Sequence, residues 1–149
     1  MTHANRDLPI EGRFEGGDHL YPLRVYFEDT DLTGAVYHAN YLRFLERARS
    51  DMLRIAGIGQ RAAFEAGEGA YAVTGITIRY RRPARLEDDL LVLTRLLDIR
   101  AASSVIHQRV MRDGDVLAEA EVTVAFVSPD GAWTRIFERL RADRTDKGA

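Results

Sequence analysis

The sequence predicts an α+β domain in which an antiparallel sheet curves around one long helix. Three observations carry that expectation. From Asn40 to Ala56, the residues Tyr41, Phe44, Leu45, Ala48, Met52, Ile55 and Ala56 recur every three or four positions, the spacing of one helical face. Four later runs, Ala70–Arg82, Leu90–Ile99, Ser104–Met111 and Val116–Val127, change to a period of two, as strands with one buried face do. That single helix is the one long element available to cover the apolar face of such a sheet.

Taken in order, residues 1–19 are polar, Gly-bearing and without period, so a loose N-terminal segment is expected. The run LYPLRVYFED from Leu20 is rich in strand formers and leads directly into EDTDLTGAVYHANY, Glu28–Tyr41. The helix over 40–56 is closed by Gly57, and Leu42 and Leu53 widen its apolar arc. Arg47 and Asp51 are spaced for an i,i+4 pair on its polar face, whereas Arg49 falls inside the apolar arc and needs a partner there. A short second helix is expected over Gln60–Ala66, before the break GEG.

The strand runs are separated by RRPARLED, RAAS and RDGD, the last a hairpin signal. In the final run Val116, Ala118, Ala120, Val122, Val124 and Phe126 face one way, and Glu119, Glu121 and Thr123 the other. TRIFERLR from Thr134 suggests a short closing helix before a polar tail. The domain is therefore placed at residues 20–130, with 131–149 as helix and tail. One helix cannot cover every apolar position of that sheet, so a partner subunit is expected to cover the remainder.

At 149 residues the chain fits one ordinary domain. With 46% hydrophobic and 30% charged residues it is composed like a globular protein, not a disordered or membrane-spanning one. A net charge of -2 gives no global attraction to nucleic acid or anionic lipid. The absence of cysteine excludes disulfides, thiolate catalysis and cysteine-based zinc sites. No apolar run of signal-peptide or transmembrane length is visible, and a cytoplasmic protein is expected.

The segment EDTDLTGAVYHANY carries the chemistry-bearing residues. Asp29, Asp31, Thr33 and Gly34 match the early positions of a calcium loop, but the position that needs a bidentate Glu is Asn40. A transition-metal site from Asp29, Asp31 and His38 lacks a second His at ligand spacing. Two readings of the residues remain: an acidic turn with a lone His before a helix, or an active loop. In the second, Tyr37, His38 and Ala39 offer helix-start amides to an oxyanion, and Asp31 supplies a carboxylate to the attached carbon.

The segment VYFEDTDLTGAVYHANYLRFLERARSDMLR, Val25–Arg54, resembles the hotdog-fold acyl-CoA thioesterases of the 4-hydroxybenzoyl-CoA thioesterase class, most closely the Tol-Pal-associated branch. The segment Arg82–Leu90, RPARLEDDL, looks like that family's turn between its second and third strands. The resemblance implies a hotdog fold and hydrolysis of an acyl-CoA, without metal or redox cofactor. It also implies that Asp31 is the catalytic carboxylate, that His38 stands beside it and that Asp29 has no catalytic role. It implies a homodimer or homotetramer with sites between subunits. Acyl carrier protein is an alternative carrier of the substrate. A hydroxyacyl-thioester dehydratase and a module that binds carrier protein or an envelope complex are the competing readings. Arg82 and Arg85, in the basic stretch RYRRPAR, are candidates for the phosphate end of CoA, set against a solvated strand end balanced by Glu87, Asp88 and Asp89.

Overall fold

The computed structural model describes residues 7–67, 70–100 and 103–127. Six strands form one sheet: β1 (Arg13–Glu15), β2 (Asp18–Arg24), β3 (Ala70–Tyr80), β4 (Asp89–Ile99), β5 (Ser103–Arg112) and β6 (Asp115–Val127). Their spatial order is β1-β2-β4-β5-β6-β3, antiparallel throughout. The long helix α1 (Asn40–Ile55) lies against the sheet and a short helix α2 (Gln60–Glu65) follows it. This is the architecture expected from the helical and strand periods, with boundaries shifted by a residue or two at most of the elements.

The core is the apolar arc of α1 set on the sheet. Phe44, Leu45, Ala48 and Met52 are buried against Val92 and Leu96 of β4, Ile106 and Val110 of β5, and Ala120, Val122 and Val124 of β6. Leu53 is buried as well, as the widened arc requires. Arg49 finds its partner in the core, where Nη1 donates to Gln108 Oε1 at 2.9 Å, and the Gln108 amide in turn donates to Leu45 O and Thr94 Oγ1. Burial lowers the Arg49 pKa.

The alternation of β6 holds over Ala118, Ala120, Val122 and Val124, all buried. It breaks near the strand start, where the β5 register skips between Val110 and Met111 and Leu117 is buried beside Ala118. That is the pattern of a β-bulge with one extra residue. The β5–β6 turn places Asp113 at φ 51° and Gly114 at φ 86°, the left-handed pair of a tight hairpin.

Three expectations are corrected. The segment 1–19 is not wholly loose, since Arg13–Glu15 pairs with Asp18–Leu20 as a hairpin. This segment is tied to α1 by the Gly12 N–H, which donates to Asp51 Oδ2 at 2.9 Å. A Cβ at Gly12 would lie 2.7 Å from that oxygen and overlap the Leu20 carbonyl, so only glycine fits. Asp51 therefore does not pair with Arg47. It is buried, with His19 Nε2 at 2.7 Å and Arg54 Nη2 at 3.4 Å. The run from Leu20 leaves the ladder after Arg24, before the acidic motif begins. The helix expected from Thr134 lies outside the described residues. Among those described, no helix is long and apolar enough to cross a membrane.

Among the described residues β3 is an edge strand, hydrogen-bonded only to β6. Val73, Ile76 and Tyr80 are exposed along its 11 residues, the condition natural sheets usually avoid or cover.

Candidate active site

The loop between β2 and α1 is built on Asp29. A short 3-10 turn, Phe27–Asp29, follows the strand, and the buried Asp29 carboxylate accepts the Tyr26 N–H at 2.9 Å. The Asp29 carbonyl accepts both the Tyr37 N–H and the Asn40 side-chain amide, each at 2.9 Å. Asn40, which disqualifies a calcium loop, is thus the brace that ties the first residue of α1 back to the turn. Thr30 bridges Val36, and the Asp31 N–H donates to Ala35 O at 2.8 Å, closing the intervening residues into a small hairpin. Gly34 occupies its tip at φ 81°.

Asp31 is exposed on that hairpin. Its Oδ1 accepts the Thr33 N–H at 2.7 Å and the Thr33 hydroxyl at 2.6 Å, an Asx turn reinforced by a side chain. These bonds favour the ionised form, the hydroxyl most strongly, and hold the Asp31 pKa below the usual carboxylate value. Oδ2 makes no hydrogen bond among the described residues. The two acids are therefore divided: Asp29 is structural and Asp31 presents an open carboxylate oxygen.

The helix start does not offer all three amides. The Tyr37 N–H is already donated to Asp29, so it is not available to an oxyanion. The amides of His38 and Ala39 make no hydrogen bond among the described residues. The His38 carbonyl accepts the Tyr80 hydroxyl at 2.8 Å, and the His38 ring lies against Tyr37 and Tyr80, with centroids 4.6 and 6.3 Å away.

His38 opens onto a cleft of about 250 Å³, whose walls include Tyr41, Tyr80, Arg82 and Pro83. Asp31 and Arg85 do not line it, so one chain does not bring every candidate residue together. Arg82 Nη1 reaches Asp115 at 3.2 Å, while the Arg85 backbone pairs with the Asp31 loop opposite Ala35. A second cavity, about 110 Å³, runs along the later half of α1 between Arg49, Leu53, Tyr71 and Ile106. It offers apolar volume but none of the polar groups of the loop. Among the described residues no three His, Asp or Glu side chains are grouped to hold a metal ion.

The Thr33 clasp on Asp31, the Asn40 brace and the Tyr80 contact were not legible from residue types. The signal for Asn40 was its place at the first helical position, where a side-chain amide can reach back to the turn.

A thioesterase-like superfamily model matches residues 25–140. The chain belongs to that superfamily. The match begins at Val25, the first residue of the segment Val25–Arg54, and extends past residue 130, the end expected for the domain. Among relatives of this thioesterase-like chain, the acyl-CoA thioester hydrolase YbgC of Escherichia coli O6:H1 is 44% identical over 110 residues, 73% of this chain and 81% of its own. The acyl-CoA thioesterase YbgC of Haemophilus influenzae is 42% identical over 107 residues, 72% of this chain and 79% of its own. The crystal structure of a probable thioesterase from Bartonella henselae superposes with a TM-score of 0.71 at 32% identity, covering 76% of this chain and 94% of that one. The superfamily match thus spans the loop that carries Asp31, α1 and strands β3 to β6.

Proposed function

We propose that this chain is an acyl-CoA thioesterase, hydrolysing RCO–SCoA and water to a free acid and CoA, with Asp31 as the catalytic carboxylate. The observation that carries the reading is the Asp31 group itself, held ionised through one oxygen while the other stays open, on the loop that leads to the unpaired amides of His38 and Ala39. The relatives named as acyl-CoA thioester hydrolases support the substrate class.

In this reading Asp31 acts on the thioester carbon by one of two routes. It adds directly, giving a mixed anhydride that water then opens, or it takes a proton from the water that attacks. Both routes need the carboxylate. The carbonyl oxygen gains negative charge in either case, and the His38 and Ala39 amides, without a partner among the described residues, are proposed to receive it. The departing thiolate is a weak base, with a thiol pKa near ~8.5, so the reaction as proposed needs no strong acid, metal or redox group. The His38 side chain lines the cleft and positions the carbonyl or the water. Arg82, on the same wall, is proposed to meet the CoA phosphates, with Arg85 in a lesser part.

The working protein is proposed to be a homodimer or a pair of dimers. Phe27, Leu32 and Tyr37 are 81%, 106% and 47% exposed around the loop, and the β3 edge has no neighbouring strand among the described residues; a second copy would cover both and complete a cleft that Asp31 does not line. A Tol-Pal association is proposed on the resemblance of Val25–Arg54 alone, and a cytoplasmic location on the composition and apolar patterning of the chain.

Release of free thiol from acyl-CoA esters of graded chain length, with acyl carrier protein thioesters in parallel, tests the reading. Turnover of at least one ester is expected. No thiol from any ester, together with tight binding of carrier protein, would replace the enzyme by a binding module.

A further inference from the structure

Tyr80 is the last residue of β3, paired with Ala118 where the sheet edge meets the start of α1. His38 precedes Ala39, the N-cap of α1, so its carbonyl stands outside the helical ladder. The first turn closes through the Leu42 N–H on Ala39 O at 3.2 Å, and the His38 carbonyl accepts the Tyr80 hydroxyl at 2.8 Å. That carbonyl and the Ala39 N–H belong to one planar peptide group, so what fixes the first fixes the second.

We propose that Tyr80 is a positioning residue for the thioesterase reaction, its hydroxyl orienting the His38–Ala39 peptide and polarising it so that the Ala39 N–H binds the developing oxyanion more strongly. The inference rests on the thioesterase reading and deepens it. Hydrogen bonds in a chain reinforce one another, and a carbonyl that accepts one makes its own amide a better donor. The remainder of the loop is anchored without Tyr80, through Asp29 O to Tyr37 and Asn40 and through Ala84 O to the Val36 N–H. The phenol therefore acts on this one peptide. Its ring is held edge-on to Tyr41, with centroids 5.2 Å apart, and the Tyr41 hydroxyl is itself fixed by the Ala84 N–H at 2.9 Å. Burial and the neighbouring Tyr41 raise the Tyr80 pKa, which keeps the donor proton in place at neutral pH.

The test is Tyr80→Phe, which keeps the ring and removes only the donor. Losing a whole oxyanion donor costs roughly 10²–10³ in kcat, and here the donor stays but is weakened, so a fall of about ten-fold is expected. KM should change by no more than about two-fold, since binding of the ground state does not use the effect. The Ala39 amide nitrogen resonance should move upfield, with the unfolding midpoint unchanged. Placing 3-fluorotyrosine at position 80, a stronger donor, should move the Ala39 resonance the opposite way and not lower kcat. Full kcat in Tyr80→Phe, or a loss confined to KM, overturns the proposal. Should the wild type release thiol from no ester, the thioesterase reading falls by itself. An Ala39 resonance that ignores both substitutions would then overturn the polarising contact as well.

Discussion

Replacing Asp31 by Asn separates the chemical role of this residue from its structural one. In the native loop Oδ1 accepts two donors from Thr33, at 2.7 and 2.6 Å, and an Asn side-chain oxygen can accept both. The hairpin from Thr30 to Val36 is closed by backbone bonds that the substitution leaves alone. Fold and thermal midpoint should therefore be preserved, while the charge needed to attack a carbon or deprotonate water is gone. The expected fall in kcat is on the order of 10²–10⁴, the range for loss of a positioned base. Free-thiol release from an acyl-CoA measures it, with circular dichroism to confirm folding. Thr33→Val supplies the companion measurement. Asp31 is depressed below its ordinary pKa, so its active, ionised form is present above the folded pKa and lost as pH falls through it. Removing the hydroxyl removes the largest cause of the depression, and the acid limb of kcat/KM should move to higher pH. Near-wild-type hydrolysis by a folded Asp31→Asn protein would refute the assignment, and an activity that depends on added metal would revive the metal reading.

Further outcomes follow from the rest of the structure. Asp51→Ala leaves the buried His19 Nε2 and the Gly12 N–H without their acceptor, which should cost about 2–4 kcal/mol, read from denaturant unfolding. Burial lowers the His19 pKa against the pull of Asp51. The stability it contributes is fully present above the unfolded value near ~6.5 and is lost as pH falls below it, so the unfolding midpoint should decline there, less steeply in His19→Gln. Arg82→Ala should raise KM for CoA esters and spare a short thioester without the nucleotide, with Arg85→Ala the weaker of the two because Arg85 does not line the cleft; equal effects on both substrates would make Arg82 structural. Ile76→Lys on the exposed β3 edge should lower the mass seen by light scattering from that of an oligomer to that of one chain; a wild type that already scatters as one chain at micromolar concentration would end the oligomer proposal.

The elements were legible because each writes its period into consecutive residues. Four strands and α1 stand within a residue or two of where the alternation and the helical arc place them. Gly57 and the DGD turn mark their ends by conformations that other residues resist. Where the reading failed, the decisive contact spans a long stretch of chain. Asp51 looked like a surface partner for Arg47 because an i,i+4 pair is all that a local pattern can suggest. Its real partners, Gly12 and His19, lie 39 and 32 residues away, and they turn a polar-face residue into a buried one. The same contact orders part of a segment whose composition reads as loose.

The site shows the same limit at finer grain. Asp29 and Asp31 are chemically identical and two residues apart, so no rule of residue type tells which is buried and which presents an open oxygen. What separates them is which donors arrive. The Tyr26 N–H draws the Asp29 carboxylate inward, and Thr33 takes only one oxygen of Asp31. The resemblance of Val25–Arg54 implies a division of roles between the two that residue type alone does not supply. The amides are harder still: Tyr37, His38 and Ala39 all stand at the helix start, yet the Asp29 carbonyl removes the first from use. The amides without a partner among the described residues, those of His38 and Ala39, begin one peptide further along the chain, next to a tyrosine 42 residues distant in sequence. A helix start is a row of donors, and those open to a ligand are the ones that the fold leaves unspent.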